Sequence, residues 1–340
     1  MVKKFFVVLL FMVLCIFAVS ASETETEAGN GFHYIPEDPP GLRYRFASKD
    51  EGKKLLLSDQ DYYDGFNQND LDFRMQQRNA SMDEYLRFAQ EQVLDFSDGE
   101  KEMIGDIFAD MEKTLKDNGY VLPEMDEIVL IKTTMKEENE ADGYTHGNQI
   151  FIGSDLLAAA TSGDVDEEIL DYVESTFWHE LFHCLTRRHP EFRAKMYDLI
   201  HFTISEEDFR LPPGEFEYHI SNPDVEHHNA YAAFRIDGQD IDCFIDFMTT
   251  KHFEKEGDSF FIDSTPVLIP IDGSDTYYMP EQADNYWDMF GENTEYVIDP
   301  EECLADNFSL AMQYGMEGPD GEGYPNPEII EGILSYVRAA

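Results

Sequence analysis

Apolar residues recur at helical spacing in several stretches of the chain and run unbroken in two others. Ser81-x-x-Glu84 forms a capping box ahead of Tyr85, Leu86, Ala89, Val93 and Phe96, which predicts a helix to about residue 96. A second helix is expected from about residue 98 or 100, with Met103, Ile104, Ile107, Phe108, Met111 and Leu115 as its apolar stripe and Gly119 as its stop. Residues 128–134 and 149–152 read as buried strands on either side of an Asp142-Gly143 turn, and a short helix follows to Ala160. From about residue 164–166 a helix runs to Pro190, apolar at Ile169, Leu170, Tyr172, Val173, Phe177, Leu181 and Phe182. Further helices are expected over about 191–203, from Pro300 and over 327–337, with extended segments near 241–248 and 260–271. Residues 32–79 yield only a short strand or turn near Leu55.

The polar residues inside the fourth of these helices change the picture. His179 and His183 are four apart, so they stand on one face, one turn above each other, where both imidazoles can reach one metal ion. Glu180 follows the first histidine, the position of a general base for a metal-held water. Three polar side chains in an apolar helix are costly without a shared partner, which argues against a merely solvated face.

A catalytic zinc site takes three protein ligands, and two residues compete for the third place. His189 completes a His-Glu-x-x-His-x5-His spacing, but the sharp exit it requires falls at Thr186, a β-branched residue for which positive φ is expensive. Glu302 lies near the start of the helix after Pro300 with Asp306 four residues on, so Glu302 can bind metal while Asp306 orients a ligand histidine. Glu302 is the expected ligand and His189 the alternative. For a donor to the oxyanion, Tyr231 is the first choice, followed by Tyr296 and His228.

These motifs resemble the gluzincin pattern of thermolysin-like zinc peptidases. More broadly, Thr145-His146-Gly147, His189-Pro190-Glu191, Ile220-Ser-Asn-Pro-Asp224 with Tyr231, Asn293-Thr294-x-Tyr296 and Pro300-Glu-Glu-x-Leu-Ala-Asp-Asn-Phe308 resemble a group of exported bacterial proteins described as zinc metallopeptidases. The chain departs from that group at Asp299 and His146, where His and Arg are expected. The resemblance implies an α+β, zincin-like fold: a small mixed sheet with an active-site helix, a helical N-terminal layer over residues 22–125, and a largely helical C-terminal part within a catalytic domain of residues 126–340. It also implies that the strand before the metal helix, residues 148–153, edges the cleft and pairs with an extended substrate. One catalytic Zn2+ and a peptide or protein substrate, cell-wall peptides included, follow from the same resemblance. The rival readings are a peptidoglycan peptide amidase and a non-catalytic binding protein of the same fold; an intact Glu180 argues against the latter.

Residues 1–21 read as a signal peptide, with Lys3 and Lys4 ahead of an apolar run and small residues before an acidic stretch, so the mature chain is expected outside the cytoplasm. The formal net charge of -47 repels nucleic acid and anionic membrane. Beyond the signal only Cys184, Cys243 and Cys303 remain, too few for a disulfide scaffold. Buried thiols are expected, with a Cys184 to Cys303 bridge as the alternative.

Overall fold

Residues 41–163 and 166–338 are described by a computed structural model, and they belong to one compact unit. The expected signal peptide lies outside the described residues. Capping sets the start of the N-terminal helices. Ser48 caps α1 (Lys49–Leu56) and Asp59 caps α2 (Gln60–Asp64), while Asn67 and Ser81 form reciprocal capping boxes with Asp70 and Glu84 at α3 (Gln68–Met75) and α4 (Met82–Gln92). Before α1 runs β1 (Tyr44–Phe46), and after α4 come β2 (Val93–Leu94) and α5 (Asp98–Asn118), which ends at Gly119 in the left-handed region at φ 65°.

Next come β3 (Ile128–Thr133), β4 (Gly143–His146), β5 (Gln149–Gly153), α6 (Ser154–Ala160), α7 (Glu167–Arg188) and α8 (Pro190–Leu199). In the first sheet the order is β1-β3-β5-β4, with β2 also on β3; β1, β3 and β5 are parallel, and β4 returns antiparallel as the outermost strand beside β5. Strand alternation divides the core. Ile128, Leu130, Ile150 and Ile152 pack with α5 and α7, whereas Val129, Ile131 and Phe151 pack with α1, α2 and α4 on the other face. That burial on both sides explains the unbroken apolar run of β3.

Two expectations change here. The division near residue 125 is no domain boundary, because β1 and β2 share a sheet with β3. Residues 148–153 are not an edge strand, since β5 is paired on both sides; the outermost strand is β4.

The remaining elements are β6 (Thr203–Ile204), α9 (Pro213–Phe216), β7 (Ala230–Ile236), β8 (Gln239–Thr249), α10 (Phe260–Asp263), β9 (Ser264–Pro270), α11 (Tyr286–Phe290), α12 (Pro300–Tyr314) and α13 (Pro327–Arg338). Strands β6-β7-β8-β9 form a second, antiparallel sheet, so the C-terminal part is less helical than expected; residues 239–243 of β8 pair with β7 and 243–249 with β9, and its Cys243 and Ile245 are buried on one face, Phe244 and Met248 on the other. The class is α+β, with two sheets and 13 α-helices among the described residues. Among them no helix is long and apolar enough to cross a membrane.

Candidate metal centre

Helices α7 and α12 lie side by side in opposite chain directions. The Gln313 amide donates to the Asp171 carbonyl at 2.9 Å, Ser309 meets Ser175 at 2.7 Å, Asp306 meets His179 at 2.9 Å and Glu301 meets His183 at 3.2 Å. Each step of about one turn on α7 is matched by about one turn on α12, so the spacing of the sequence motifs becomes a row of paired groups.

Both imidazoles are held by Nδ1, His179 on Asp306 and His183 on Glu301. With Nδ1–H donating to a carboxylate, each Nε2 is the nitrogen left to face a metal, which it binds through its lone pair once unprotonated. Both Nε2 atoms face Glu302, whose Oε2 lies 3.1 Å from His179 and 3.7 Å from His183. Ligand atoms of the three residues all fall within 4.8 Å of one another. His183 Nε2 is buried and has no hydrogen-bond partner. An orphaned buried nitrogen costs about 1–3 kcal/mol, which a cation between these atoms would offset. The donor set and its back-side hydrogen bonds therefore fit a metal ion, with His179, His183 and Glu302 as its holders.

The acids around the imidazoles favour positive charge at this place, whether a proton or a cation. Burial disfavours the charged His179 imidazole, yet the Asp306 and Glu302 carboxylates more than offset it and hold its pKa well above the ordinary value. Burial likewise opposes ionisation of Glu302, but the hydrogen bond from His179 and the nearby His183 leave its pKa lowered. Glu180 is buried beside them with Oε2 accepting from the Thr145 hydroxyl at 2.6 Å; burial raises its pKa. Asp224 stands 4.0 Å from His183 Nε2, and its pKa is pushed well up by burial and by the Glu180 carboxylate.

The structure brings together four of the expected residues and their orienting group: His179, Glu180, His183, Glu302 and Asp306. It separates two others. His189 caps the end of α7, which runs straight through Thr186, and its Nε2 meets the Glu124 carbonyl at 2.7 Å. Tyr231 sits on β7, where Ala230, Ala232 and Phe234 face the core that includes α7; alternation turns Tyr231 the opposite way, with its ring 5.8 Å from Phe209. Tyr296 is the tyrosine beside the centre, its ring 6.1 Å from that of His179, and burial together with Glu302 and Asp224 pushes its phenol pKa well above the ordinary value. Cys184 and Cys303 are buried free thiols, and burial pushes Cys184 up to about 12.

Several contributors gave no sign of their role in the sequence. Glu301 lacks an i+4 acidic partner, but it takes hydrogen bonds from Thr186 and, at 2.5 Å, from Tyr197 while backing His183. The segment 222–224 reaches in from far along the chain: Asn222 donates to Glu302, Asp224 accepts from the Thr145 N–H at 2.7 Å, and Arg187 holds the Pro223 carbonyl at 2.6 Å. Only the adjacency of Glu301 and Glu302 hinted at a second acid. Comparison with protein-family models, with curated proteins and with solved structures gives no match.

Proposed function

We propose that this chain is an exported zinc metallopeptidase that hydrolyses bonds in peptides or proteins, cell-wall peptides among them. One observation carries the reading. A three-ligand set of two imidazoles and a carboxylate shares its pocket with Glu180, a buried carboxylate outside that set, close to His183 and Asp224 and aimed by Thr145. A site built only to hold metal has no use for such a group. A zinc ion there would supply Lewis acidity, lowering the pKa of a water and polarising a carbonyl.

The chain's own groups do the rest. Glu180, its basicity increased by burial, accepts a proton from water at a carboxylate oxygen and returns it to the leaving amine nitrogen. Tyr296 keeps its phenolic proton at neutral pH and donates a hydrogen bond to the developing oxyanion. Asp306 and Glu301 keep the two imidazoles in one tautomer and one orientation. The outer strand β4 offers backbone groups to an extended peptide.

The test is Glu180→Gln against a mixed peptide library and cell-wall fragments. The variant should keep its metal and lose at least ~10²-fold in hydrolysis, the low end for a general base. Full activity with metal retained removes Glu180 from the chemistry and the reading with it.

A further inference from the structure

A second group of metal-ligating side chains lies outside the site just described. His219, His228 and Asp246 bring one ligand atom each to within 4.8 Å of the others. His219 Nδ1 lies 2.7 Å from Asp246 Oδ1, and His228 Nδ1 lies 3.9 Å from the same oxygen. The two imidazole rings are 5.5 Å apart at 75°, close to the 4.9 Å and 73° of His179 and His183. The donor set is again two imidazoles and one carboxylate.

The hydrogen bonds around this group do not close. Asp246 is 1% exposed, and its Oδ2 has no partner. His228 Nδ1 is buried and has none either. On the far side of His219, Nε2 meets the Ser221 hydroxyl at 3.3 Å, and that hydroxyl donates to Asp70 Oδ2 at 3.3 Å. Ser221 has one proton, so with it directed at Asp70 the His219 Nε2–H must donate to the serine oxygen. His219 Nδ1 then faces the Asp246 carboxylate either with a proton, which that carboxylate favours, or with a lone pair open to a metal. A proton added there would satisfy this one contact and leave Asp246 Oδ2 and His228 Nδ1 orphaned. A divalent cation answers all three.

We propose that His219, His228 and Asp246 form a second metal site, for zinc or another borderline divalent ion suited to imidazole and carboxylate donors. Its place in the fold gives it a purpose. His219 and His228 are the two ends of one loop, and Asp246 on β8 gathers both. The middle of that loop carries Asn222 and Asp224, which touch Glu302 and the Thr145 N–H at the first centre. An ion at the base therefore clasps the loop shut and fixes how its tip meets the first centre.

The experiment loads the full chain with Zn2+, dialyses away loose ions and measures zinc per chain, beside amide hydrogen exchange over residues 220–227. Wild type should hold two ions, His228→Ala one and Glu302→Ala one. His228 Nδ1 has no partner to lose, and Asp246→Asn repeats the test with the side chain's shape kept. In both variants the loop amides should exchange at least ~10-fold faster than in wild type, as expected when a tethered segment opens locally. Wild type holding a single ion that Glu302→Ala loses and neither His228→Ala nor Asp246→Asn disturbs overturns the second site and leaves the first intact. A single ion lost from His228→Ala and kept by Glu302→Ala supports the second site and removes the proposed catalytic centre.

Discussion

Glu137 lies in the turn between β3 and β4, and its carboxyl is almost wholly buried. Tyr144 donates to one oxygen at 3.1 Å, while the other has no hydrogen-bond partner. Burial dominates over its hydrogen bonds and raises its pKa from 4.5 to about 7. A shift of about 2.5 units at 1.36 kcal/mol each is about 3 kcal/mol of penalty on the charged form. The folded chain thus binds this proton more tightly than the unfolded one. Stability from Glu137 is full below about pH 4.5 and is lost as pH rises through about 7. Glu137→Gln mimics the protonated acid at every pH. Urea unfolding of wild type and variant at about pH 4, 7 and 9 should give nearly equal stabilities at the lowest pH and a variant more stable by about 3 kcal/mol at the highest. Taking the difference cancels the titration of other groups. A difference that stays flat with pH would refute the argument, because it would mean Glu137 ionises equally well in both states.

Three further outcomes follow from the geometry. A Cβ on Gly143 would stand 2.8 Å from Glu180 Oε1, so Gly143→Ala should displace the carboxylate and lower hydrolysis at least ~10-fold while zinc content, read by elemental analysis, is unchanged. Arg74 is fully buried between Asp70 at 2.8 Å and Glu138 at 2.9 Å, so Arg74→Met strands two carboxylates and should destabilise by about 3–5 kcal/mol in chemical denaturation, with part recovered in the double variant Arg74→Met/Glu138→Gln. In equilibrium dialysis, Glu302→Ala should lose the ion at the first centre, and His189→Ala, whose ring binds a carbonyl at the end of α7, should keep it.

What could be read from the sequence was what repeats locally. The four-residue spacings in α7 and α12 placed His179, His183, Glu302 and Asp306, because a helix converts spacing into direction. The capping box at Ser81 marked the start of one helix and the glycine after Asn118 the end of another, while the Ser97 box at the start of the second went unread. Residues 49–75 escaped because their helices are short and carry charged or amide side chains on most positions, although Asn67-x-x-Asp70 is itself a capping box. Strand β4 escaped because Gly-Tyr-Thr-His has no alternation. Thr145, Asn222, Asp224 and Tyr296 meet the α7 and α12 groups of the candidate centre only through tertiary folding, and no periodicity records such a meeting. The choice of Tyr231 failed on a property of strands: neighbours in sequence point to opposite faces, so its nearness to the 222–224 segment said nothing about where its ring goes.

The row of contacts between α7 and α12 has a consequence for protein design. For binding an ion, as distinct from doing chemistry with it, every ligand and every back-side carboxylate comes from these two helices, and the Ser175 to Ser309 contact sets how far one is slid along the other. A donor scaffold would need a pair of antiparallel helices at the same separation, with donors placed where Asn222 meets Glu302 and Tyr197 meets Glu301. Grafting His179, His183, Glu301, Glu302 and Asp306 together with that serine pair onto such a bundle transfers a complete binding unit whose alignment is built into the graft.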